Sequence, residues 1–183
     1  VVMRDPKNGE DVATAEGGWL DWLADCGVPA ITGVDTRASC HRGQGSDQDG
    51  ADKLAGSDEW EEFEAIQEFR LVLLGLGNVD IFHTELDGKP FEGLTVRLFD
   101  RQTRLWTIYW ADSNAVKLDG GKVGSFDGGM GEFFGREVAA GKDVIVKFRW
   151  DKRNPRNPIY SRAFSADAGR TWEWNWYSNF SPR

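Results

Sequence analysis

Histidine is nearly missing from this sequence: His41 and His83 are the only two in 183 residues. Neither a CxxC pair nor an HExxH helix is present, so a metal site of the usual zinc kind is excluded. Cysteine is as scarce. Cys26 and Cys40 stand alone without framework spacing, which predicts reduced thiols and a cytoplasmic protein. No stretch of eighteen apolar residues exists to form a membrane-spanning helix, and residues 1–6 carry no apolar core of a signal peptide. Basic charge is outweighed: 22 Lys and Arg face 30 Asp and Glu, for a net charge of −8. That field repels phosphate, so neither nucleic acid nor an anionic membrane is an expected partner. The GxSxG elbow, the P-loop and the dinucleotide fingerprint are absent too. Residues 75–78 (GLGN) lack a third glycine and read as a turn. No cofactor is expected.

Glycine and tryptophan are plentiful, at 22 and nine residues, and 13% of the chain is aromatic. Trp19, Trp22, Leu23 and Cys26 recur at helical spacing and predict a short helix within residues 12–27, with Gly27 as its C-terminal cap. Residues 30–34 read as a short strand. Residues 38–56 are polar and glycine-rich and read as a linker. From residue 58 onward, strand-like runs alternate with turn signals such as Asp87-Gly88-Lys89-Pro90 and Asp127-Gly128-Gly129 at about ten-residue spacing, the pattern of an up-and-down antiparallel sheet that closes on itself. Residues 58–74 are ambiguous, because Trp60, Phe63, Ile66 and Phe69 also fit a helix.

Several motifs stand in a recognisable order: KLAGSDEWEEFE over 53–64, GLGNVD over 75–80, GLTVRLFD over 93–100, WTIYWAD over 106–112, and AFSADAGRTW over 163–172 with Asn175-Trp176. Together they resemble a bacterial family known only as domain of unknown function 1579, across residues 53–181. The resemblance implies a calycin, lipocalin-like barrel and brings no established activity. It makes 58–74 a strand. It also divides the chain into an N-terminal extension, 1–52, and a barrel domain, 53–183, for a mainly β fold with one short N-terminal helix. Members of that family usually begin with a strand where the glycine-rich linker stands here. Either residues 30–34 substitute for it, the barrel stays open, or a partner chain fills the gap, which makes a homodimer possible. A second, local likeness covers GGWLDWLADCGVPAITGVDTR over 17–37, which is similar to a stretch of the carbamoyl-phosphate synthetase small subunit. Neither Cys26 nor Cys40 has the glycine-flanked setting of its glutaminase nucleophile, so no amidotransferase activity follows.

Alternation along the strands sorts side chains into faces. Thr95, Arg97 and Phe99 oppose Leu94, Val96 and Leu98. Trp106, Ile108, Trp110 and Asp112 oppose Thr107 and Tyr109. Val144, Val146, Phe148 and Trp150 oppose Lys147 and Arg149. Trp172, Trp174 and Trp176 form a stripe opposite Glu173, Asn175 and Tyr177. If the mixed faces line the lumen, Arg97, Tyr109, Arg149, Asn175 and Tyr177 surround a pocket suited to a carboxylate or carbonyl group. If the apolar faces do, Trp110, Trp174 and Trp176 belong to an aromatic cavity or a filled core. His83 is the single histidine of the expected barrel and, with Asp112, the candidate for proton transfer. Haem held by a late-strand histidine is not expected, because residues 86–183 contain none. The expected function is binding of a small apolar or aromatic molecule. The alternatives are acid–base catalysis in the cavity, as in a hydrolase, isomerase or cyclase, and an interaction protein with a filled core.

Overall fold

The computed structural model describes residues 3–4, 11–12, 34–43, 60–139 and 141–182. A two-stranded ribbon pairs β1 (Met3–Arg4) with β2 (Asp11–Val12). Ten longer strands form a closed barrel: β3 (Val34–Gly43), β4 (Trp60–Val72), β5 (Gly77–Leu86), β6 (Lys89–Asp100), β7 (Leu105–Asp112), β8 (Lys122–Asp127), β9 (Met130–Ala139), β10 (Lys142–Asp151), β11 (Ile159–Ser165) and β12 (Glu173–Pro182). Each pairs antiparallel with the next, and β12 returns to β3 along Trp176↔Arg42 to Pro182↔Thr36. Closure leaves no edge among these ten strands.

The closing strand corrects the reading of residues 38–56 as a linker. Residues 38–43 belong to β3, so the barrel takes one strand from the stretch assigned to the N-terminal extension. A run such as Ser39-Cys40-His41-Arg42-Gly43 is polar by composition, but Ala38 and Cys40 are fully buried. The ladder to β4 and β12, rather than local propensity, makes it a strand. The gap that would have called for a partner chain is filled by the chain itself. The helix expected over 12–27 lies outside the described residues apart from Val12, which belongs to β2.

Residues 60–72 are a strand, as the family resemblance implied, and the helical spacing of their aromatics is coincidental. Ala65, Gln67 and Phe69 are buried at period two, and Phe63 packs with them against Trp176. Trp60 and Ile66 fall on the opposite face, so the apparent helical stripe splits in two. The turns expected from sequence join the strands. At Asp87-Gly88 both residues have positive φ, 52° and 72°, the twist a two-residue hairpin needs to match right-handed strands.

One end of the barrel carries the β5–β6, β7–β8, β9–β10 and β11–β12 connections. The last of these is organised by Asp167. Its Oδ1 accepts from the Thr171 and Arg170 amides at 2.9 and 3.0 Å and from the Ser165 hydroxyl at 2.8 Å, and its Oδ2 from the Thr171 hydroxyl at 2.7 Å. These bonds, led by that of the Thr171 amide, lower the Asp167 carboxyl to about 2. Because the folded value lies below the unfolded one, the resulting stability is full above about pH 4 and is lost as pH falls towards 2. Comparing the urea midpoints of wild type and Asp167→Asn should give a gap that is constant above pH 5 and shrinks across that window. A gap independent of pH would assign the loop's order to other contacts.

Candidate functional site

Side chains alternate into and out of the barrel, and the lumen is drawn from both kinds of face. From β7 and β10 it takes the apolar one, with Trp106, Ile108, Val146, Phe148 and Trp150 buried. From β6 it takes the mixed one, with Thr95 and Arg97 buried. The opposite end of the barrel is plugged: Trp150 stacks on Phe180 at 5.2 Å, and Phe69 meets Phe180 edge-on at 6.3 Å. Between this floor and the loop end lies a cavity of about 260 Å³. Phe82, Phe91, Trp110, Trp150, Phe164 and Trp176 supply most of its apolar wall, and Arg42, Gln67, Arg97, Asp112, Asp119, Glu137, Tyr160 and Arg162 its polar groups.

The polar groups form separate clusters. At the floor, Asp80 and Arg97 are an ion pair with 0% and 3% of their side-chain surface exposed. Gln67 and Thr95 also donate to Asp80, and Arg97 donates to Asn78 at 2.9 Å. The guanidinium lies 5.6 Å from the Phe69 ring centre and 5.5 Å from that of Trp150. On a second wall, the fully buried ammonium of Lys122 is ion-paired with both Asp119 and Glu137. Burial raises the Asp119 carboxyl above its ordinary range despite that pair and a 2.8 Å bond from the Trp110 amide. At the rim, Arg42 is held by Glu61 at 2.5 Å and by Asp87 at 3.2 Å.

Tyr160 and Arg162 project into the cavity from β11. Burial lifts the Tyr160 hydroxyl well above the ordinary phenol range, with Arg162, Glu137, Arg97 and Asp119 all acting on it electrostatically. Arg162 donates from Nε to Asn175 Oδ1 at 2.8 Å, and its guanidinium lies 5.0 Å from the Phe164 ring centre and 5.6 Å from that of Trp176. It forms no ion pair with a carboxylate among the described residues. Cys40 is buried against Ser178, with Sγ and Oγ 3.3 Å apart. Burial pushes its thiol up to about 12, so it is an inert packing group.

The structure brings together Arg97, Trp110, Asp112 and Trp176, all lining the cavity. Asn175 is buried behind Arg162. Asp112 is tied down: its Oδ1 caps the following turn through the amides of Asn114 and Ala115, both at 2.9 Å, and its Oδ2 takes the Trp110 indole N–H at 3.2 Å. His83 lies on the outer face, 3.3 Å from Glu92 and with 43% of its side chain exposed, so it cannot serve chemistry in the lumen. Tyr109 and Arg149 also face outward, since they alternate with the inward Ile108, Trp110, Phe148 and Trp150.

The tryptophans at 172, 174 and 176 do not share a face. Arg162 pairs with Trp176 and Ala163 with Trp174, so Asn175 is the extra residue of a β-bulge. The bulge turns both Asn175 and Trp176 inward. Trp174 stays outside, stacked on Tyr177 at 6.1 Å and under the Arg149 guanidinium at 4.6 Å. Trp172 is also external, 4.2 Å from the Lys147 ammonium.

Sequence reasoning missed Tyr160, Arg162, Asp119, Lys122 and Glu137. Alternation along 159–165 would have grouped Tyr160, Arg162 and Phe164, a signal available but unused. Asp119 sits in what reads as a turn, and Glu137 follows Gly135, a residue that weakens a strand pattern although β9 continues to Ala139. These features define a closed ten-stranded antiparallel barrel with an aromatic-walled internal cavity. No family profile and no curated protein matches the chain. Among the described residues no helix is long and apolar enough to cross a membrane.

Proposed function

We propose that the barrel is a carrier or receptor for a small, flat, largely apolar molecule held in its lumen. The observation that carries this reading is the cavity of about 260 Å³, walled by aromatic rings with a few fixed polar groups, the usual make-up of a small-molecule site. A cavity of that volume has room for a compact ring system rather than a long chain. The order of motifs over residues 53–181, which resembles that of the calycin-like domain of unknown function 1579, supports the same reading. Titration with prodan, a neutral two-ring fluorophore, should give saturable, blue-shifted emission. Trp110→Ala should weaken binding roughly tenfold, the loss of about 1.4 kcal/mol of ring contact. Emission that rises without saturating in wild type would overturn the reading.

Acid–base catalysis has one observation in its favour, the raised carboxyl of Asp119 beside Glu137 on the cavity wall. In that reading Asp119 and Glu137, not His83, act on the substrate. Recovering the bound compounds chemically unchanged supports a carrier. Turnover by wild type that disappears in Asp119→Asn supports the enzyme.

A further inference from the structure

We propose that the natural ligand is a planar carboxylic acid of one or two rings, with its carboxylate held by Arg162. This rests on the lumen being a binding site, as argued above. Around the cavity the other cations are already neutralised: Arg97 by Asp80, Lys122 by Asp119 and Glu137, and Arg42 by Glu61 and Asp87. Arg162 alone among them has no carboxylate partner within the described residues. A cation in an aromatic-walled space is costly unless it gains a counter-charge. Rings and a side-chain amide hold this one in place without supplying that charge.

The geometry also leaves the right edge of the guanidinium open. Asn175 occupies Nε, so the two terminal nitrogens remain for a ligand, and paired N–H donors match the two oxygens of a carboxylate. Contacts with Phe164 and Trp176 fix the guanidinium plane, so little ordering is needed when the ligand arrives. Phe82, Phe91 and Trp110 supply faces for the ring system: Phe91 and Trp110 lie nearly parallel at 24°, and Phe82 meets both edge-on. The cavity lies just below the roughly 300 Å³ at which drug-sized pockets begin, which limits the body to about two rings. A cationic ligand is disfavoured at this edge, because it would meet the like charge of the Arg162 guanidinium, whose terminal nitrogens face the cavity.

Calorimetric titration with 2-naphthoate, 2-naphthamide and 2-naphthylmethylammonium isolates the charge while keeping the rings constant. Wild type should bind the acid at least tenfold more tightly than the amide, and the ammonium more weakly than both. Arg162→Gln should weaken naphthoate at least tenfold and leave naphthamide within about threefold. Equal affinity for acid and amide, preference for the ammonium, or an equal loss of both ligands in Arg162→Gln overturns the proposal. If the variant does not fold, the acid-to-amide ratio of the wild type decides alone. Binding of prodan and the amide without preference for the acid defeats only the carboxylate assignment. Failure of prodan and all three naphthalenes to bind defeats the binding function with it.

Discussion

Asp80→Ala is expected to destabilise the barrel by about 3–5 kcal/mol, the range for removing one partner of a buried ion pair. Asp80 is wholly enclosed, and its two oxygens collect donors from Gln67, Thr95 and Arg97. Truncation removes the acceptor that all three share and takes the buried Asp80 charge away from the Arg97 guanidinium, which lies beside two aromatic rings. The measurement is urea denaturation followed by tryptophan fluorescence. The double change Asp80→Ala with Arg97→Met should recover a substantial part of the loss, because an apolar pair of suitable volume relieves the uncompensated charge. A loss below about 1 kcal/mol in the single variant would mean that water reaches the floor of the cavity and solvates Arg97.

Trp176→Ala should cost about 3–5 kcal/mol, whereas Trp174→Ala should cost about 1 kcal/mol. Trp176 packs against Phe63 and Phe82 in the lumen, and its indole N–H donates to Ser178 at 2.8 Å. It also supports Arg162, so its removal should depress ligand affinity as well as stability. Trp174 lies on the outer wall between Tyr177 and Arg149, and its loss should leave prodan binding unchanged. Denaturation and titration of the two variants side by side check both statements. Equal effects would place the two indoles on one face and remove the bulge at Asn175 from the account.

That bulge marks one place where the sequence was insufficient. A strict period of two puts Trp172, Trp174 and Trp176 together, and one extra residue reverses everything beyond it. Nothing local to 173–177 identifies Asn175 as that residue, because the register of β12 is set by its pairing with β11. The closing strand is a similar case. Residues 38–43 are polar enough to read as a linker, and only the partners on either side, β4 and β12, make them a buried strand.

By itself the sequence determined the barrel class, most strand positions from 77 onward and the hairpin turns, because period-two alternation and turn residues act locally. It also placed Arg97, Trp110, Asp112 and Trp176 among the site candidates, although without deciding which strand faces form the lumen. Tertiary structure decided that question, moved His83, Tyr109, Arg149 and Trp174 to the outside, and brought Arg162, Tyr160, Asp119 and Glu137 to one cavity. The physical reason is that a strand has two faces of nearly equal standing until the sheet closes. Closure then selects one face of each strand through the summed demands of volume, charge pairing and hydrogen bonding, and those demands belong to residues far apart in the chain.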